Sequence, residues 1–402
     1  MNPQPTTVLC LASYEKGEDL LRELKNQGCH VILVTVEKLK DSPLWPHTAI
    51  DELLLVAEMT RQPDITYAIS YIARSRKIDC IIALDEFDIE IAAALREHLR
   101  MPGMGETTAR YFRDKLAMRV QAKDSGIHVP EFSPVINYDD LREFMARVPP
   151  PWVLKPRTSA SALGIKKIYA AEELWRTLDK LGDQQSFQVL EKYIPGEIFH
   201  VDSVVSENKV VFAAVHKYGA PPLNVMHDGG IFTTGGIPRG STNDVALQTL
   251  NAEIIKAFKL VRGVTHTEFI KSSADGQFYF LETASRVGGA YIAEVVKAAT
   301  GINLWTEWAR VEIAQCQNSG YSLPEVKQNY AGIILSLARQ EAPDTSAYNE
   351  PEIIYRVNKK NHAGLIVASP DQQRVQSLIE NYTARFYQDF YASAPAPDKP
   401  TT

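Results

Sequence analysis

The sequence predicts a chain of mixed α/β and α+β class, with a parallel α/β unit in front, a strand-rich region behind it and a small α+β region at the end. Three observations predict this. Over the first hundred residues, short apolar runs alternate with amphipathic helical patterns. From Trp152 the pattern changes to strands and hairpin turns. The chain has 402 residues, too many for one ordinary core and suited to two to four packed subdomains.

In the first unit, Val8–Ala12, His30–Val36 (HVILVTV) and Ile78–Leu84 (IDCIIAL) are continuous apolar runs of strand length. Glu15–Gln27, Gln62–Arg76 and Ile89–Leu99 carry helical spacing between them. Strands apolar on both faces suit a parallel sheet covered on both sides, a Rossmann-like unit in outline. No G-x-G-x-x-G follows the first strand, where the text is LASYEKGEDL. A dinucleotide is therefore not expected there, and a dehydrogenase is a distant reading. Asp85-Glu86, at a strand end before a helix, reads as a helix N-terminal cap, with substrate contact as the alternative.

The Pro/Gly-rich stretch Met101–Thr108 places a boundary, so residues 1–108 form the first domain. A helix follows over Ala109–Ser125, then a break at Gly126–Pro130 and a stiff Pro149-Pro150-Pro151 connection. Gln188–Lys192 and Phe199–Val205 read as strands, and Asn208–His216 pairs with the latter through a turn at Glu207–Lys209. Gly263–Ile270 and Gln277–Glu282 form a hairpin around Ala274-Asp275-Gly276. Helices at Tyr291–Ala299 and Leu304–Ala314 follow, then strands Gly332–Leu337 and Gly364–Ala368. A helix from Gln372 to Tyr391 precedes a frayed Pro-rich tail. The further divisions fall at residues 109–190, 191–318 and 319–402.

Composition excludes some classes. The net charge is −6 with no basic stripe, which argues against a dedicated nucleic-acid partner. No window approaches the roughly 20 apolar residues of a membrane helix, and no signal-peptide pattern opens the chain. Cys10, Cys29, Cys80 and Cys316 are widely separated, as buried reduced thiols of a cytoplasmic protein would be.

Five segments carry chemistry. In PWVLKPRTSASALGI, a strand delivers Lys155 to a loop of small residues that includes Ser159 and Ser161. Backbone N–H groups, hydroxyls and the ammonium there suit phosphate, though an exposed lysine before a surface hairpin reads the same way. In QVLEKYIPGEIFHVD, Glu191, Lys192, Tyr193 and Ile194 offer an edge and an apolar clamp for an adenine, and Glu197 an acceptor for a ribose. A solvated turn is the alternative. In THTEFI and FLETASRVGGA, Glu268 and Glu282 lie at similar depth on adjacent strands. Two inward carboxylates suit Mg²⁺, which takes one or two of them and completes its shell with phosphate and water; two solvent-facing glutamates on an edge hairpin are the alternative. Arg286 adds a fixed positive charge, and Gly288 and Gly289 add backbone donors. Finally, LNVMHDGGIFTTGG, with His227, reads as a Gly-rich surface loop or a substrate-facing one. His200 and Asp202 share a strand face and are substrate candidates or a paired polar face.

Asp114-Lys115, GIHVPEF, VLKPR, LEKYIPGE, HTEF, FLETASRVGG and ATGINL, in this order over about half the chain, resemble the ATP-grasp superfamily of ligases. The resemblance implies a Rossmann-like domain in front of a two-lobed ATP-grasp fold. It implies ATP and one or two Mg²⁺ ions, with Mn²⁺ as a substitute. Lys115 and Lys155 would hold phosphates, with Glu191, Tyr193 and Ile194 at the adenine and Glu197 at the ribose. Glu268 and Glu282 would hold the metal, and Arg286 would stabilise an acyl phosphate. The implied reaction activates a carboxylate as an acyl phosphate and joins it to an amine, both small molecules, in a possible homodimer. Many members carry Asn two residues after the second glutamate, where this chain has Ala284, so a second metal is less well provided for. The H-T-E and E-x-A-x-R text looks like the bacterial L-amino-acid ligases that form dipeptides. A carboxylate kinase, a bicarbonate-using carboxylase-like enzyme and a non-catalytic nucleotide-binding regulator are the alternatives.

Overall fold

The computed structural model describes residues 5–160 and 163–393, with all side chains among them except those of residues 226–228. Ser161 and most of the Pro-rich tail lie outside the described residues. So does the side chain of His227.

The N-terminal unit runs β1 (Thr7–Ala12), α1 (Glu18–Asn26), β2 (His30–Val36), β3 (Glu52–Val56), α2 (Gln62–Ala73), β4 (Cys80–Ala83) and α3 (Ile89–His98). The sheet is parallel in the order β3-β2-β1-β4. β1 is buried at every position, as expected for a strand with helices on both faces. Helix α1 begins later than the sequence suggests, because Gly17 takes a left-handed φ of 87°. The Ser13–Lys16 segment is thereby left as a loop over the carboxyl end of the sheet. β3, at the sheet edge and only partly buried, has no counterpart in the sequence reading.

The helix expected over Ala109–Ser125 is two helices, α4 (Glu106–Arg110) and α5 (Lys115–Asp124). The chain breaks because Asp114 caps α5, its carboxylate accepting from the N–H groups of Leu116 and Ala117. Next come β5 (Phe132–Pro134), α6 (Tyr138–Arg147), β6 (Trp152–Pro156), β7 (Lys166–Ile168), α7 (Ala171–Leu181) and β8 (Gln188–Lys192). Their strands form an antiparallel sheet in the order β5-β8-β6-β7, closed by a core that includes Trp152, Leu154 and Leu190.

The remaining strands make one eight-stranded sheet. β9 (Gly196–Ser206) and β10 (Lys209–Tyr218) pair as expected. α8 (Pro222–Asp228) and β11 (Phe232–Gly236) then replace the loop expected over Leu223–Gly236. α9 (Thr242–Ala257), β12 (Gly263–Ser272), β13 (Phe278–Ala284), α10 (Ile292–Thr300) and α11 (Leu304–Cys316) follow. The chain ends with β14 (Tyr330–Leu337), β15 (Ile353–Arg356), β16 (His362–Ser369) and α12 (Gln372–Asp389). The order is β13-β12-β9-β10-β11-β14-β16-β15, so strands beyond residue 318 extend the same sheet through β11. One core lies between the sheet and α9, around Phe199, Val201 and Phe269. Another joins α1 and α11 across the N-terminal unit. No helix among the described residues is long and apolar enough to cross a membrane.

Candidate active site

The site lies where the three sheets converge. α5 supplies its first cation. Lys115, the first residue after the Asp114 cap, is buried, and its Nζ donates to the Ser159 carbonyl at 2.7 Å. The same ammonium lies 3.0 Å from Glu282 Oε2. Asp114 also holds Arg157 through Nε at 3.0 Å, which ties the loop of small residues after β6 to the start of α5. Gly164 ends that loop at φ +72°, and a Cβ there would meet Pro156 Cγ at 2.8 Å, so glycine is required twice over.

Lys155 on β6 points inward, its Nζ 2.7 Å from Glu191 Oε2. Glu191 is only 2% exposed; its Oε2 accepts from Arg119 Nη2 at 3.2 Å, and Arg119 Nε forms an ion pair with its Oε1 at 2.9 Å. Burial and the Arg119 charge push the Lys155 ammonium down to about 8. Burial works to raise the Glu191 carboxyl, but Arg119 and Lys155 hold it below the usual range. Its carboxylate is therefore spent inside the lobe and is not free at a nucleotide edge. The edge is backbone instead. The N–H of Lys192 donates to Glu131 O and that of Tyr193 to Pro151 O, whereas the N–H of Ile194 has no partner among the described residues. The Lys192 side chain is exposed beside Glu131, and Lys167 sits 4.3 Å over the Tyr193 ring. Glu197 is exposed and paired with Lys217. Arg119 was not singled out from the sequence, although it stands one helical turn after Lys115 and shares its face.

The two candidate metal ligands face each other. Glu268 on β12 and Glu282 on β13 are direct register partners, next to a bulge between Glu268 and Phe269. Burial tends to raise the Glu282 carboxyl, yet Lys115 and Lys155 hold it down to about 2. Glu268 Oε1 accepts from the Tyr218 hydroxyl at 2.9 Å and lies 3.5 Å from His266 Nε2. Two carboxylates side by side, one paired with a lysine, fit a hard divalent cation with phosphate and water completing its shell. Ala284 contributes no further donor.

Arg286 leaves the end of β13 and is held from the N-terminal unit. Its Nε and Nη2 donate to Glu86 Oε1 at 3.1 and 2.8 Å, and Nη1 donates to Val287 O. Burial opposes its charge, but Glu86 raises its pKa further above the ordinary arginine value. Glu86 itself is held low, with burial opposed by Arg286 and then Arg113. The capping role divides here. Asp85 accepts from the Phe87 N–H and pairs with Lys16, whereas Glu86 reaches across 200 residues to Arg286. No local sequence signal marks that pair.

His200 and Asp202 are both fully buried, which corrects the view of them as residues facing a substrate. The ligand atoms of His200, Asp202 and His266 lie within 4.8 Å of one another. Asp202 Oδ2 accepts from His200 Nδ1 at 2.7 Å and Oδ1 from His266 Nδ1 at 2.9 Å, so these atoms are engaged in one another. Burial opposes the charge on His266, but Asp202 raises it to about 9. His216 is pushed down to about 3 by burial. Gly289 opens onto free space, whereas Gly288 packs on the Asp202–His266 pair.

A parallel front unit, a four-stranded antiparallel lobe and a long antiparallel sheet, meeting at buried lysines and paired carboxylates, make up the ATP-grasp fold. Residues 148–294 match the model of the ATP-grasp domain. It is 27% identical over 289 residues to the L-arginine-specific L-amino acid ligase of Bacillus subtilis, covering 69% of this chain and 68% of that protein. The fold is that of the L-amino acid ligase from Bacillus licheniformis, with a TM-score of 0.76 and 15% identity over 98% of this chain and all (100%) of that one. A biotin carboxylase domain of the Hydrogenobacter thermophilus 2-oxoglutarate carboxylase, solved with MgADP and bicarbonate, matches at a TM-score of 0.69 and 14% identity, covering 96% of this chain and 90% of that one.

Proposed function

We propose that this chain uses ATP to activate the carboxylate of a small acid, an amino acid by its likeness to the amino-acid ligases, and couples it to an amine. The observation that carries the reading is the register pairing of Glu268 and Glu282 with Lys115 at 3.0 Å, Lys155 behind it and Arg286 beside it. Phosphoryl transfer needs charge neutralisation and in-line placement more than a protein nucleophile, and this cluster supplies both.

In this reading, residues 109–190 and 191–318 form two lobes that close on the nucleotide. The Ile194 N–H and the Tyr193 ring meet the adenine, and Glu197, released from Lys217, meets the ribose. Lys115, Lys155 and the Ser159–Ser161 segment hold the phosphates. Glu268 and Glu282 would hold Mg²⁺, or Mn²⁺ in its place, which when bound would neutralise phosphate charge. The substrate carboxylate oxygen attacks the γ-phosphorus and ADP leaves. The amine nitrogen then attacks the acyl carbon, phosphate departs, and the nitrogen loses a proton. Arg286, fixed by Glu86, faces the anionic oxygens that develop in both steps. The Gly288-Gly289 turn and the segment of residues 223–236 border the acid and amine. Homodimer assembly, implied by the family resemblance alone, is checked by light scattering.

The test is ADP release by the purified chain with Mg-ATP and pooled amino acids, acids and amines, with Glu282→Ala as control. Release that needs both an acid and an amine, and is lost in the variant, supports the ligase. Release with an acid alone favours a carboxylate kinase, and release dependent on bicarbonate favours a carboxylase-like reaction.

A further inference from the structure

Asp202 sits in the middle of β9 with no exposed surface, between β10 and β12. A buried charge cluster contributes less to stability than well-packed apolar residues of the same volume, so its presence calls for a role beyond filling the sheet. Three contacts show where it reaches. Oδ1 accepts from His266 Nδ1 at 2.9 Å, and the far nitrogen of that ring lies 3.5 Å from Glu268 Oε1. Oδ2 accepts from His200 Nδ1 at 2.7 Å, and the far nitrogen of that ring is 2.8 Å from Thr234 Oγ1 on β11. The turn after Arg286 rests on the same pair. A Cβ on Gly288 would lie 3.0 Å from Asp202 Oδ1 and 3.1 Å from His266 Nδ1. One carboxylate thus reaches toward a candidate metal ligand through His266 and lies close to the glycine turn beside Arg286. Tyr218 adds a second donor to the same Glu268 oxygen at 2.9 Å.

We propose that Asp202, acting through His266 and together with Tyr218, is a positioning residue that holds the Glu268 carboxylate in place for the divalent cation of the nucleotide site. The proposal rests on the reading of Glu268 and Glu282 as metal ligands. Partners that orient a ligating group tune metal affinity by about 10- to 100-fold when removed. A residue that merely held the sheet together would alter melting but not the metal requirement.

The experiment measures ADP affinity by calorimetry across a Mg²⁺ series for the wild type, Asp202→Asn, Tyr218→Phe and Glu282→Ala. In the wild type, Mg²⁺ strengthens ADP binding. Asp202→Asn keeps the side-chain shape and is expected to raise the Mg²⁺ concentration for half the effect by about tenfold, the lower end of that range. Its metal-free ADP affinity stays at the wild-type value. Tyr218→Phe removes one hydroxyl and shifts the same midpoint by a few-fold. Should Asp202→Asn not fold, Tyr218→Phe decides. If the folded variants keep the wild-type Mg²⁺ midpoint while Glu282→Ala loses it, the ligand reading stands and the positioning role is wrong. If Mg²⁺ does not change wild-type ADP affinity, the ligand reading fails and takes the proposal with it.

Discussion

Glu191→Gln removes one charge and no volume from the interior beside the four-stranded antiparallel sheet. In the wild type, this carboxylate accepts from Arg119 Nη2 at 3.2 Å and forms ion pairs with Arg119 Nε at 2.9 Å and Lys155 Nζ at 2.7 Å, with Arg119 fully buried and Lys155 6% exposed. The variant leaves two buried cations facing a neutral amide. Breaking a buried pair by removing one partner costs about 3–5 kcal/mol, because the remaining charge is desolvated and uncompensated. For a cooperative unit of about 200 residues that corresponds to a fall in Tm of roughly 6–20 °C. The control is Glu197→Gln, whose partner Lys217 is exposed and whose loss costs under about 1 kcal/mol. Calorimetric melting of both variants beside the wild type tests this. If Glu191→Gln melts within a degree or two of Glu197→Gln, the triad is not the electrostatic keystone of the lobe and the reasoning is wrong.

Three further predictions concern function. With its folded pKa near 8, below the ordinary lysine value of 10.5, Lys155 is charged below pH 8 and neutral above it. Nucleotide affinity should therefore fall as pH rises through about 8. Protein stability should rise between pH 8 and 10.5, where the unfolded chain still binds the proton and the native one does not. Lys155→Arg should flatten the affinity profile, measured by calorimetry. Arg286→Lys loses the two-nitrogen grip on Glu86 and is expected to lower kcat by about 10²–10³ with little change in Tm. Gly288→Ala drives a methyl within 3.0 Å of Asp202 Oδ1 and should cost about 1–3 kcal/mol of stability, together with turnover.

The strands that are apolar on both faces were legible, because β1, β2 and β4 need no alternation to stand out. The pairing of Glu268 with Glu282 was legible too, since a tight turn at Ala274–Gly276 fixes the register of its hairpin. β3 escaped because it lies at a sheet edge, where burial no longer dictates an unbroken apolar run. β11 escaped because its Gly and Thr residues suit a loop equally well, and it becomes a strand only when β10 and β14 flank it. Arg157 and Asp114, Arg119 and Glu191, and Arg286 and Glu86 are 43, 72 and 200 residues apart, and local patterns carry no information on such distances. His200 and Asp202 were correctly placed on one face. Their burial was not legible, because it depends on Tyr218, His266 and Thr234 arriving from three other strands.

The central claim is that a carboxylate is activated by phosphoryl transfer before the amine attacks. It is tested most directly by supplying the acid with ¹⁸O in its carboxylate and analysing the phosphate released during turnover. The account predicts one ¹⁸O transferred to phosphate for each amide formed, because the oxygen that attacked the γ-phosphorus leaves with it. Unlabelled phosphate alongside amide formation would contradict it.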